Sequence, residues 1–160
     1  HAGPACRPVE VVSRTNRLLS KDVSPEQFVT AAFAVLDPTE HRLTLCNAGH
    51  NPPLLFRGDR IIALEKGGLV LGALEDETYE EEELDLLPGD VLVFYTDGLT
   101  EAMNRRERHF GRRRLERAVL RSRHRSAGQV LRAIRDTIRG FTLGTPQSDD
   151  FTTFVLKRIA

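Results

Sequence analysis

The sequence predicts an α+β domain, and three observations carry that reading. Short apolar runs separated by turn residues fill residues 42–64, the pattern of antiparallel strands. Apolar residues then recur at helical spacing through residues 112–139. Two further apolar runs, at residues 91–95 and 151–159, bracket that helical stretch. Helices inserted between antiparallel strands make a layered α+β architecture.

Taken in chain order, residues 7–19 read as a helix with Val9, Val12 and Leu19 near one face. Residues 27–37 carry two opposed signals. Ser24-Pro25-Glu26-Gln27 offers capping-box chemistry with proline at the first helical position. Phe28, Val29, Thr30, Phe33 and Val35 instead favour a strand, and propensity leaves both readings open. Residues 42–47 alternate Leu43 and Leu45 with polar neighbours, as a half-buried strand does. A turn over residues 47–53 leads to a returning strand at 54–56. A tight connection at 57–60 then leads into 61–64, completing an antiparallel meander.

The glycine-rich stretch 66–72 lacks the strand-loop-helix context and the Gly-Lys-Ser/Thr of a nucleotide loop. Residues 84–87 pass through a Pro88-Gly89 turn into the run at 91–95. Helices are predicted over 112–123 and 128–139. Ser126 and Gln129 form a capping box for the second, and Val130, Ile134, Ile138 and Phe141 form its apolar stripe. Residues 151–159 supply a closing strand.

Charged residues make up 29% of the chain and hydrophobic ones 40%, a balance that excludes general disorder. No apolar stretch approaches the roughly 18 residues of a membrane span, so no membrane partner is expected. Two cysteines, Cys6 and Cys46, are too few for a disulfide scaffold and lack metal-ligand spacing. A reducing, cytoplasmic setting is the expectation. Net charge is zero, yet the charges are segregated, with residues 75–85 acidic and residues 105–125 rich in arginine. Leu115, Ala118, Val119 and Ser122 recur at helical spacing, which puts Arg113, Arg114, Arg117 and Arg121 largely on the opposite, solvated side. Few aromatics are interleaved for base stacking, so no nucleic-acid partner is expected. The acidic run reads as an exposed edge strand or loop, where charge discourages edge-to-edge pairing.

The chemistry is concentrated at two carboxylate-bearing ends of apolar runs. Asp97 follows the buried run 91–95, and Gly98 follows it, free to turn without a Cβ. An Asp-Gly hairpin turn accounts for that pair structurally. Hard divalent cations, however, take oxygen ligands from few protein carboxylates, and Asp97 is suitably placed. Asp149 and Asp150 enter the last apolar run together. In a strand they point to opposite faces, so only one of them can face a shared site. An Asx-type turn explains the second pair without a metal. His50, in a turn rich in glycine and proline, could line such a cleft. No second histidine stands at ligand spacing, and local hydrogen bonding to backbone is the simpler role.

Residues 47–55 (Asn-Ala-Gly-His-Asn-Pro-Pro-Leu-Leu), 87–90 (Leu-Pro-Gly-Asp), 95–101 (Tyr-Thr-Asp-Gly-Leu-Thr-Glu) and 148–152 (Ser-Asp-Asp-Phe-Thr) follow one another in a familiar order. In that combination the chain resembles the SpoIIE-like phosphatases, bacterial members of the metal-dependent (PPM, type 2C) serine/threonine phosphatases. The resemblance runs from about Pro8 to the C-terminus. It implies a layered α-β-β-α sandwich of two mainly antiparallel sheets flanked by helices, and it makes residues 27–37 a strand. It also implies that Asp97 and Asp149 are metal ligands, with Gly98, Asp150 and His50 as further candidates and no catalytic residue beyond the ligands.

The family's earlier Gly-Asp-x-x-Gly-x-Gly motif, whose aspartate bridges two metal ions, has no match in residues 1–160. The resemblance therefore implies one partial phosphatase domain over residues 1–160, its N-terminal part missing. Its implied cofactors are two Mn²⁺ or Mg²⁺ ions, sharing a water that attacks a phosphoserine or phosphothreonine ester. The implied substrate is a phosphoprotein of a bacterial regulatory switch, such as an anti-sigma-factor antagonist. A noncatalytic phosphoprotein-binding remnant is the alternative. A domain lacking its first strands is expected to expose a sheet edge, and so to form a homodimer or a marginally stable monomer.

Overall fold

The computed structural model describes residues 6–22, 24, 27–143, 145 and 150–159, which form an α+β fold of two sheets with helices. The chain divides into two compact units, His1–Pro52 with Leu64–Leu86, and Pro53–Ala63 with Leu87–Ala160.

In the first unit, α1 (Pro8–Asp22) starts with proline at its first helical position, where the missing N–H is not needed. Val12 is buried from its inner face with Val9 and Leu19 packed nearby, as the spacing predicts. Asn16 lies on the same face and is fully buried, which the sequence did not announce. Strand β1 (Ala31–Asp37) settles the ambiguous segment as a strand. It pairs antiparallel with β2 (Arg42–Ala48) in a register from Ala31 opposite Ala48 to Asp37 opposite Arg42. At the connecting turn, Asp37 Oδ1 accepts the N–H groups of Thr39 and Glu40 at 2.8 and 3.0 Å. Those bonds, that from Glu40 first, hold its carboxyl below its ordinary pKa.

Two expectations for β2 are corrected. It is not half-buried, because every residue from Leu43 to Ala48 is buried. Nor does it continue into a meander with the strands that follow. Its partners after β1 are β6 (Glu82–Asp85), antiparallel, and the two-residue β5 (Gly67–Gly68), parallel. The turn explains why. Asn47 Oδ1 accepts the His50 N–H at 2.8 Å, and Asn47 Nδ2 donates to the His50 carbonyl at 2.9 Å. Pro52 and Pro53 then bring no N–H to a ladder. Gly67 tolerates no side chain, since a Cβ would stand 1.6 Å from the Asn47 carbonyl oxygen. The acidic run is a strand only over β6, where Asp85 pairs with Arg42 at 3.2 Å.

The second unit carries an antiparallel sheet in the order β4 (Arg60–Ala63), β3 (Leu54–Arg57), β7 (Val91–Tyr95), β8 (Thr153–Lys157). Asp90 is buried, and its carboxylate takes hydrogen bonds from Arg57 Nε and Nη2 and one from the Leu87 N–H. Helices α3 (Arg112–Ser122) and α4 (Ala127–Thr142) follow the short α2 (Asp97–Glu101). The capping box at Ser126 and Gln129 forms as predicted. Val130, Ile134 and Ile138 of α4 meet Leu115, Ala118 and Val119 of α3 and Val91, Val93 and Tyr95 of β7 in one core. Arg114 departs from the solvated-face expectation. It lies 4.5 Å from the Phe141 ring centroid and donates to the carbonyls of His109 and Phe110. Among the described residues, no helix is long and apolar enough to cross a membrane.

Candidate metal centre

Strand β7 is buried because its five residues are apolar or aromatic and both neighbours, β3 and β8, complete its ladder. Pairing with β8 places Tyr95 opposite Thr153. Contact between the two segments continues past the strand ends. The Thr96 N–H donates to the Thr152 carbonyl at 3.1 Å, and the Thr152 N–H donates to Thr96 Oγ1 at 2.9 Å. One step further, a Cβ on Gly98 would stand 2.5 Å from the Asp150 carbonyl oxygen. Gly98 is buried there, so its glycine is required by close backbone approach. The hairpin reading of Asp97-Gly98 fails, since both open the helix α2.

Asp97 is thus exposed at the end of a rigid, fully laddered strand. Its Oδ1 accepts the Gly98 N–H at 2.8 Å, and it enters no ion pair among the described residues. Asp150, also exposed, lies across from it in the adjoining segment. Asp149, the second predicted ligand, lies outside the described residues. His50 belongs to the first unit, where its Nδ1 stands 3.1 Å from Thr30 Oγ1 and its backbone closes the Asn47 turn.

Carboxylate oxygens suit a hard cation that retains waters, so the donor chemistry of Asp97 fits Mn²⁺ or Mg²⁺. Among the described residues, no group of three or more His, Cys, Asp or Glu could hold a metal ion. The residues the sequence reading missed are Thr96 and Thr152, which stitch the two carboxylate segments together. A hydroxyl residue beside each motif was the available signal.

Comparison with known proteins identifies the family. The chain is 31% identical over 157 residues to the phosphoserine phosphatase RsbU of Bacillus subtilis, covering 94% of this chain. It spans 45% of RsbU's own length. Among solved structures, the SiaA-PP2C domain of Pseudomonas aeruginosa superposes with a TM-score of 0.80 at 20% identity, over 94% of this chain and 60% of that one. The manganese-presoaked phosphatase domain of the cell-fate determinant SpoIIE from Bacillus subtilis superposes with a TM-score of 0.65 at 15% identity. That match covers 99% of this chain and 76% of the SpoIIE domain. At those identities the two likenesses show a shared fold. The family model of SpoIIE, Stage II sporulation protein E, matches residues 2–159, and the chain therefore belongs to the SpoIIE family of PP2C-type phosphatase domains.

Proposed function

We propose that this chain carries part of a metal-dependent centre that hydrolyses phosphoserine or phosphothreonine on a bacterial regulatory phosphoprotein. An anti-sigma-factor antagonist is the substrate the family resemblance favours. The observation that carries the reading is the close approach of Gly98 to Asp150, which brings the Asp97 segment against the segment that ends the family's last motif. In this reading Asp97 and Asp149 hold the cations, Gly98 permits the approach, and Asp150 faces away from the shared site. Two Mn²⁺ or Mg²⁺ ions, when bound, supply the activated water for in-line displacement at phosphorus. RsbU, which shares 31% identity, is named a phosphoserine phosphatase, in keeping with this chemistry.

One observation favours a second reading, a phosphoprotein-binding module without turnover. Residues 1–160 contain no Gly-Asp-x-x-Gly-x-Gly aspartate to bridge two ions. Two measurements separate the readings. Titration of Mn²⁺, followed by the spectrum of the free ion, is expected to show binding that Asp97→Asn weakens at least tenfold and His50→Ala leaves unchanged. Equal affinity in Asp97→Asn would remove Asp97 from the site. Turnover of a phosphoserine peptide by the 160-residue chain is expected to be slow even with Mn²⁺. Fast turnover that survives Asp97→Asn would overturn the ligand assignment itself.

A further inference from the structure

Helices α3 and α4 flank a cleft of ≈ 300 Å³ in the second unit, and four of its lining residues are Arg114, Arg117, Arg121 and Arg125. No carboxylate lines it, and its apolar lining includes the small side chains Ala118 and Ala133. Arg117, Arg121 and Arg125 are exposed and form no ion pair among the described residues. Their neighbours do otherwise: Arg112 pairs with Glu116 at 2.7 Å, and Arg123 pairs with Asp59 at 2.8 Å. Arg114 is fixed against Phe141 and two carbonyls, so its charge stays at one end of the cleft. At the other end, Lys157 Nζ donates to the carbonyls of Arg123 and Arg125, each at 2.6 Å, and anchors the chain that carries Arg125.

Steps of three and four residues along α3 set Arg114, Arg117 and Arg121 about 5–6 Å apart, and Arg125 follows in the turn beyond the end of that helix. An extended peptide presents every second side chain to one face about 7 Å apart, a spacing that long arginine stems can follow. An isolated phosphate would engage only one or two members of such a row. Single-stranded nucleic acid is the poorer fit, because no aromatic ring lines the cleft for base stacking.

We propose that the α3–α4 cleft binds an acidic segment of a protein partner, whose carboxylates pair with Arg117, Arg121 and Arg125. This surface stands apart from the phosphatase reading and survives its failure. The test is fluorescence anisotropy of a labelled dodecapeptide alternating Glu and Ser, titrated with the 160-residue chain at low and at physiological salt. Binding is expected, weaker at the higher salt. The triple variant R117Q/R121Q/R125Q keeps most of each stem and is expected to lose at least tenfold in affinity with an unchanged melting temperature. The control R106Q/R113Q/R132Q removes the same charge from exposed positions outside the cleft and is expected to stay within twofold. Equal losses in the two variants would reduce the effect to net charge and overturn the proposal. So would tighter binding of a charge-matched single-stranded oligonucleotide, full displacement of the peptide by millimolar inorganic phosphate, or no peptide binding at all.

Discussion

The two units solve the same problem, fastening helices to a sheet, by different physics. In the second unit the fastening is apolar. Leu115, Val119, Val130, Ile134 and Ile138 of the helices pack with Phe110 against Leu54, Phe56, Val91 and Val93 of the strands. Against α1 in the first unit the apolar cluster is smaller-grained, with Val12, Cys46, Ala48, Leu71 and Tyr79. Polar hooks from distant chain complete it. Asn16 of α1 accepts the Gly72 N–H at 2.9 Å and donates to the Leu74 and Glu75 carbonyls at 2.7 and 3.2 Å. Glu81 accepts the Val9 N–H at 3.1 Å, supplying a negative charge where the start of a helix wants one, and pairs with Arg7 at 2.7 Å. Apolar packing tolerates modest changes of shape, whereas a buried amide tolerates none of its partners being left alone. The candidate centre lies on the apolar unit, where a fully laddered strand gives Asp97 a rigid base.

The sharpest way to test that contrast is to delete one anchor from each side. Phe110 is fully buried and meets Phe141 edge-on with ring centroids 5.5 Å apart. Phe110→Ala is expected to cost about 3–5 kcal/mol of unfolding free energy, from lost transfer energy and the cavity left behind. Asn16→Ala removes a far smaller apolar volume but strands a buried N–H and two carbonyls. It is expected to cost about 2–3 kcal/mol, since each unpaired buried group is penalised by about 1–3 kcal/mol and water re-pairs some of them. Denaturant melts measure both. Amide exchange distinguishes them further, because only Asn16→Ala should speed exchange at Gly72. A loss below about 1 kcal/mol in Asn16→Ala would show that the hooks are ornament and that the small apolar cluster suffices.

What could be read from the sequence divides along the same line. The start and buried stripe of α4 were legible because their evidence is local: Ser126 and Gln129 are three residues apart, and the stripe repeats every four, although the helix runs to Thr142 instead of ending at 139. Asn16 was not legible, because nothing near residue 16 reveals that its partners sit 56–59 residues away. The predicted meander failed for a related reason. Residues 42–64 look like consecutive neighbours, yet β2 takes its partners from β1, β5 and β6, while β3 pairs with β4 and β7. At the candidate centre, the importance of Gly98 was visible but its cause was not. The sequence suggested a turn, whereas the constraint is the Asp150 carbonyl beyond the end of a β-ladder.

A smaller effect distinguishes the units by pH. Burial, and secondarily Glu81, pushes the Cys46 thiol in the first unit from 9.0 up to about 11. Burial, with Glu77 and Cys46 behind it, pushes the Tyr79 hydroxyl from 10.0 up to about 12. Burial also raises Tyr95 in the second unit above 10.0. A raised acid stays protonated in the folded state while the unfolded chain has already released its proton. The stabilisation is therefore complete below pH 9 and is lost as pH rises. The loss runs from 9 to about 11 for Cys46 and from 10 to about 12 for Tyr79, by up to about 1.4 kcal/mol per pH unit for each group. Of these three groups Cys46 acts most strongly between pH 9 and 10, so Cys46→Ala is expected to shallow that interval markedly and leave the fall above pH 10. An unchanged slope between pH 9 and 10 would mean that the Cys46 thiol is not desolvated.

The smallest expected effect is the most pointed test of the polar-hook idea, because it concerns a polar group in the first unit that hooks nothing. The Tyr79 hydroxyl is buried and finds no hydrogen-bonding partner among the described residues, while its ring packs with Cys46 and Leu71. If buried polar groups in this unit contribute only through their partners, Tyr79→Phe removes a desolvation penalty and nothing else. It is expected to raise stability at neutral pH by about 1 kcal/mol, the bottom of the range for an unsatisfied buried group. It should also erase the share of the alkaline fall that begins at pH 10, which gives the variant a signature that a packing change alone would not produce. Thermal melts at pH 7 and pH 11 read both effects. A loss of stability at pH 7 would show that the hydroxyl has a partner in solution and would add Tyr79 to the hooks alongside Asn16 and Glu81.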